Sequence, residues 1–167
     1  MNETPHAPTE TYKSFLNALN RQDLEAAAAC VDIENYRENC VAFTQGFVDW
    51  TEAKASLQTV WRGIPDLHVE LYRVSGGEGF AIAHGLSSGT AKGKLYGAPA
   101  TGKRYESSFF DYVEFNDQGL IVYRVQQADV LGQMRQLYGK GMGAFGVSAL
   151  LFKQPATYPK FGGPSVN

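Results

Sequence analysis

Apolar residues in the first part of the chain recur with a helical period. Tyr12, Phe15, Leu16 and Leu19 fall at i, i+3, i+4 and i+7, the stripe of a single helix face. Asn20-Arg21-Gln22 interrupts the stripe, and Asp23 is placed to cap a second short helix through Leu24 and the alanine run to Val31. Tyr36 to Phe47 reads as extended, with Val41 and Phe43 on one face. Asp49-Trp50-Thr51-Glu52 has the form of a capping box and predicts a helix whose inward face is Ala53, Leu57, Val60 and Trp61. Gly63, Pro65 and Asp66 end it. The pattern then becomes that of strands, predicted at about Leu67–Val74 and Gly79–Thr90 with the turn Ser75-Gly76-Gly77-Glu78 between them. Two further strand-like runs, Arg104 to Phe115 and Leu120 to Gln127, precede a helix predicted over Val130 to Tyr138. Three N-terminal helices followed by a mostly antiparallel sheet define an α+β domain.

The hairpin between the last two runs carries the most chemistry. Its punctuation is Asn116-Asp117-Gln118-Gly119, with Gly supplying the positive φ such loops need. A three-residue loop pairs Asn116 with Leu120. Strict alternation then puts Phe109, Asp111, Val113 and Phe115 on one face together with Tyr123, Val125, Gln127 and Asp129. Two carboxylates would share an aromatic surface. A bulge, common with this loop length, is what would break that register.

Composition adds limits. A chain of 167 residues with 44% hydrophobic and 19% charged residues is one soluble domain with a substantial core. Nine Tyr and ten Phe suit either a plain core or a pocket for flat organic ligands. A net charge of −2 with scattered basic residues leaves no electrostatic footprint for nucleic acid. Cys30 and Cys40 lack metal-ligand spacing and read as two reduced, buried thiols of a cytoplasmic protein, with a disulfide as the alternative. The N-terminal MNETPHAPTE has no apolar stretch, so no signal peptide is expected, and no run is long and apolar enough for a membrane span.

Gly89-Thr90, Gly93, the turn Gly97-Ala98-Pro99-Ala100-Thr101-Gly102-Lys103, Asp111, Phe115, Gly119-Leu120-Ile121, Asp129 and Gln136-Leu137 form a spaced series. It resembles the SnoaL-like polyketide and ester cyclases of the nuclear transport factor 2-like superfamily, over about residues 9 to 139. The chain departs from the family pattern at Ala91, where His is common, and at Arg124-Val125, where His-Trp is common. The resemblance implies a curved sheet wrapped around a helix as a cone with an open mouth. It also implies an apolar small-molecule substrate, no cofactor, and a homodimer that buries the second sheet face, on which Tyr112, Val122 and Arg124 are expected.

Candidate chemistry follows from both lines. Asp129 reads either as the N-cap of the last helix or as a catalytic carboxylate closing a pocket strand. Asp111 is costly to bury in an aromatic run unless paired, so it either faces water or is the partner of Asp129. His84, in Phe80-Ala81-Ile82-Ala83-His84-Gly85, lies on a strand expected to be covered on both faces. It is either a hydrogen-bonded core residue or a proton shuttle. Tyr12, Tyr36, Trp61, Phe109, Tyr123 and Gln127 are core or pocket wall. His6 and His68 have no ligand-spaced neighbours, so no metal is read, and no nucleophile elbow occurs. Phe109 stands two residues before Asp111, where an epoxide hydrolase of the same superfamily would carry Arg.

These features predict a cofactor-independent cyclase or isomerase acting on a polyketide or terpenoid intermediate. The alternative is a non-catalytic ligand-binding or dimerisation module of the same superfamily. Residues 1–139 form the expected domain, and 140–167 an apolar, Gly/Pro-rich extension packed on it. Four glycines between Gly139 and Gly146 oppose a helix there, while Phe145, Val147, Leu150, Leu151 and Phe152 are too apolar for a solvated tail. Packing on the outside of the sheet or across the dimer, and a lid over the cavity formed by residues 142–152, are the two readings of that segment.

Overall fold

The helical stripe on Tyr12, Phe15, Leu16 and Leu19 becomes α1 (Pro8–Asn20), with Pro8 at its start, and all four side chains are buried. This computed structural model describes residues 7–40, 46–95 and 98–139. The expected extension 140–167 lies outside the described residues, as do Val41, Phe43 and Gly97. Asp23 caps α2 (Leu24–Ala28) by accepting from the Ala26 amide at 2.9 Å, and Asp49 caps α3 (Trp50–Gly63) by accepting from Glu52 at 2.9 Å. Both caps fall where the acidic residue and its spacing predict.

Between α2 and α3 lies the short strand β1 (Arg37–Cys40). After α3 come β2 (His68–Gly77), β3 (Phe80–Thr90), β4 (Arg104–Phe115), β5 (Ile121–Ala128) and α4 (Val130–Tyr138). The five strands form one curved, unclosed sheet in the order β1-β5-β4-β3-β2, antiparallel except where β1 runs parallel to β5. β2 continues through Gly77, so the turn to β3 is shorter than the four-residue turn expected. Only Glu78 and Gly79 remain outside the strands, with Gly79 at φ 74°.

The sheet's inner face packs on α1 and α3. It presents Ala81 and Ala83 from β3, and Tyr105, Phe109, Asp111, Val113 and Phe115 from β4, all buried. At Gly85 an added Cβ would lie 2.3 Å from the Glu70 carbonyl oxygen and 2.7 Å from the Phe109 ring, so only glycine lets that ring close on the strand. Two side-chain amides act as strand substitutes. Asn20 donates to the Val69 carbonyl at 2.8 Å and accepts from the Val69 amide at 2.7 Å, along the open edge of β2. Gln136 of α4 does the same for Glu106, at 2.8 Å in both directions.

The expected register of β5 is corrected. The loop is as predicted, with Gly119 at φ 77° and the Asn116 amide donating to the Leu120 carbonyl at 2.9 Å. Then the pairing shifts: Phe115 stands opposite Ile121 but Glu114 stands opposite Tyr123, which leaves Val122 as an extra residue. This bulge reverses the facing of every residue beyond it. Arg124 and Gln126 therefore point inward and are buried, while Tyr123, Val125 and Gln127 leave the face that holds Asp111. Arg124, expected on the outer face, stands in the interior.

Candidate functional site

The bulge places Arg124 opposite Val113, one step from the Asp111–Gln126 pair, and the parallel pairing with β1 sets Glu38 beside it. Three ionisable side chains thus meet on the inner face, each at most 4% exposed. Arg124 Nε and Nη2 reach Asp111 Oδ2 at 2.9 and 2.8 Å, and Nη1 reaches Glu38 Oε2 at 2.8 Å. Two phenols complete the cluster. Tyr12, from the middle of α1, donates to Asp111 Oδ2, and Tyr36 donates to Glu38 Oε2 at 2.7 Å. The Phe15 ring lies 5.7 Å from the guanidinium carbon. Asp111 Oδ1 is buried and has no hydrogen-bond partner among the described residues.

Charges in this position are stable only in combination. Desolvation of a lone buried ion costs several kcal/mol, and close pairing with added hydrogen bonds is what offsets it. Burial by itself would lower the Arg124 pKa, but the Asp111 and Glu38 charges outweigh it and hold the guanidinium well above its ordinary range. Tyr12 is pushed well above the usual phenol range by burial first and by the Asp111 charge second. Tyr36 is raised in the same way, by burial and then by Glu38. Both phenols are therefore fixed donors at neutral pH.

The cluster closes one end of a cavity between α1, α3 and the sheet, with a volume of about 30 Å³. Its apolar wall includes Leu16, Leu57, Leu67 and Val69, and its polar end is Glu38, Arg124 and Gln126. The volume is room for roughly two water-sized spheres. Glu38 commits Oε2 to Arg124 and Tyr36, which leaves Oε1 without a hydrogen bond among the described residues on a side chain that lines the cavity. An anchored carboxylate with one open oxygen can take or return a proton without moving.

The residues singled out from sequence divide between this site and the rest of the molecule. Asp111, Tyr12 and Tyr36 are brought together in the cluster, and Phe109 and Trp61 are buried in the core, Trp61 Nε1 without a hydrogen-bond partner among the described residues. Asp129 stands outside: it is exposed at the end of β5 and caps α4 by accepting from Gly132 at 2.8 Å. His84 is half-buried on the outer face, stacked 4.4 Å from Phe110 with Tyr72 edge-on at 5.5 Å, so the described residues do not cover its strand on both sides. Tyr123 packs between Phe47 and Tyr112 on that outer side, and Gln127 is exposed. Cys30 and Cys40 are both thiols, Cys40 buried and Cys30 half-buried. Among the described residues no group of three or more His, Cys, Asp or Glu side chains is placed to hold a metal ion, and no helix is long and apolar enough to cross a membrane.

Sequence reading missed Glu38, Arg124 and Gln126. Glu38 carried a signal, because Tyr36, Glu38 and Cys40 alternate along an extended run. Arg124 and Gln126 carried none without the position of the bulge.

Comparison with known proteins agrees with this architecture. The family model of the SnoaL-like polyketide cyclases matches residues 9–137. TsrD from Streptomyces laurentii is 25% identical with a TM-score of 0.69, over 82% of this chain and 99% of its own. IdmH from Streptomyces antibioticus, a candidate polyketide cyclase, is 19% identical with a TM-score of 0.70, over 78% of this chain and 98% of its own. AclR from Streptomyces galilaeus, a candidate hydroxylase, is 16% identical with a TM-score of 0.68, over 78% of this chain and 95% of its own. No curated protein sequence matches the chain. With most of its length matched by the family model and the same fold in these proteins, the chain belongs to the SnoaL-like polyketide cyclase family.

Proposed function

We propose that this protein is a cyclase or isomerase that rearranges an apolar polyketide or terpenoid intermediate by proton transfer between substrate and side chains. One observation carries the reading: Glu38, anchored by Arg124 and Tyr36 through one carboxylate oxygen, lines a cavity with a leucine-rich wall. In this reading Glu38 is the proton carrier. Arg124 supplies positive charge against negative charge developing on the substrate, and Asp111 with Tyr12 holds Arg124 in place. The acid/base role proposed from sequence for Asp129 thus passes to Glu38, because Asp129 caps a helix away from the cavity. His84, on the outer face, takes no part in the proton transfer.

The Leu-rich wall favours a hydrocarbon surface on the substrate, and holding its reacting atoms together supplies much of the rate. A ring system enters a space of about 30 Å³ only when wall side chains such as Leu16, Leu57 and Leu67 rotate aside. That narrowness favours the second reading, a binding module without turnover. The outer sheet face, with Tyr72, Ile82 and Phe110 each about half exposed, fits a twin subunit in a homodimer.

The two readings separate on Glu38→Gln, which keeps shape and one acceptor but carries no proton. Turnover of the natural substrate is expected to fall roughly 10²-fold or more, while Asp129→Asn keeps wild-type turnover. Equal activity in wild type and Glu38→Gln, with both folded by circular dichroism, would remove Glu38 from the chemistry.

A further inference from the structure

Gln126 is buried, lines the cavity beside Glu38 and Arg124, and makes only one hydrogen bond among the described residues. That bond comes from Cys40, its neighbour across the β1–β5 pairing, whose Sγ lies 2.9 Å from Gln126 Oε1. The thiol proton needs an acceptor and the amide oxygen provides it, which fixes the orientation of the carboxamide. Both Nε2 hydrogens then remain for the cavity. Nε2 has no hydrogen-bond partner among the described residues and is not sealed from the cavity, so it stands open to an acceptor on a ligand.

We infer that Gln126, its amide held by the Cys40 thiol, is the hydrogen-bond donor for a carbonyl oxygen of the ligand at the closed end of the cavity. A carbonyl matches the site because it brings acceptors only. Its oxygen meets Gln126 Nε2, and the C–H beside it is turned toward Glu38 Oε1. Gln126 is then a specificity residue for ketone-bearing substrates, and Cys40 is a positioning residue that acts through it. The inference rests on the reading of this cavity as the substrate site.

The probe is cyclohexanone labelled with ¹³C at the carbonyl, with methylcyclohexane as the oxygen-free control. Normalised to methylcyclohexane binding in the same protein, ketone affinity should be roughly tenfold higher in wild type than in Gln126→Met, the size of one good hydrogen bond. The carbonyl stretch of the bound ketone should lie below its position in hexane. In Gln126→Met, which keeps the length of the side chain, the stretch should return toward the hexane value. Cys40→Ser, which keeps a donor, should preserve the single low band. Cys40→Ala should split or broaden it, a change that packing loss alone would not produce. A band unchanged between wild type and Gln126→Met overturns the inference, as does an equal normalised ketone affinity in the two proteins. Exchange of the ketone's α-hydrogens in D₂O reads Glu38 independently. If exchange persists in Glu38→Gln while the band still depends on Gln126, the proton-carrier reading fails and the carbonyl contact stands.

Discussion

Strand β4 presents two different surfaces within one alternation. Asp111 faces inward, paired with Arg124 and touched by Tyr12, and is 1% exposed. Its neighbour Phe110 faces outward, is 56% exposed and stacks on His84. The usual expectation is thereby inverted, with charge inside and a bare aromatic outside. Charge can stay inside because almost every group there has a partner, so the low dielectric strengthens the pairing instead of expelling the ions. Among the described residues the aromatic outer face has no such closure, since stacking within the strip leaves its outward surface uncovered. A side chain's own polarity thus decides its place less than the partners the fold supplies.

The contrast breaks most sharply at Arg124. Arg124→Met keeps bulk but leaves Asp111 and Glu38 as two buried carboxylates without a counter-charge. A loss of about 3–5 kcal/mol is expected, the usual cost of removing one partner from a buried pair. Urea denaturation measures it, and a change below about 1 kcal/mol would mean that water reaches the cluster.

Tyr12→Phe is the next smaller step. It removes one charge-assisted donor from Asp111, with an expected cost of about 1.5–3 kcal/mol at neutral pH. It also has a pH signature. The raised Tyr12 pKa means that the folded state keeps its phenol proton where the unfolded chain releases it. The resulting stability is fully present below the ordinary phenol range near 10 and is lost as pH rises from there through the folded-state value. The alkaline limb of the stability curve should therefore be shallower in Tyr12→Phe, by up to about 1.4 kcal/mol per pH unit for one group. Identical alkaline slopes in the two proteins would count against the buried phenol.

On the outside, Phe110→Ser should barely change subunit stability, within about 0.5 kcal/mol as for surface positions generally. Its effect is expected on assembly. If the outer face is the dimer face, wild type sediments as a dimer at micromolar concentration and Phe110→Ser as a monomer. A wild-type monomer would leave the aromatic strip without a twin.

The elements of the fold were legible because each has a local cause. The period of Tyr12, Phe15, Leu16 and Leu19, the caps at Asp23 and Asp49, and the glycine at 119 all act within a few residues of themselves. The site was legible only in part. Asp111 declared itself by being a carboxylate in an aromatic run, but its partners Arg124 and Tyr12 lie 13 and 99 positions away and reach it through strand pairing and helix packing. One extra residue at Val122, with no Gly or Pro to mark it, decided whether Arg124 and Gln126 or Tyr123 and Gln127 would face Asp111. Asp129 was ambiguous for the opposite reason, because a helix cap and a catalytic acid demand the same side chain.

The amide of Asn20 has a consequence for how the molecule behaves in a crowded solution. β2 is the open edge of the sheet, and an open edge is a template on which another chain can add a strand. At Val69 that template is already occupied, since both outward backbone groups bond to Asn20. A few residues on, the register shift between Leu71 and Arg73 kinks the same edge. An incoming strand would find one stretch filled and the next bent, with no long straight run on which to extend. One asparagine at the end of a helix thus helps to keep the protein from polymerising through its sheet.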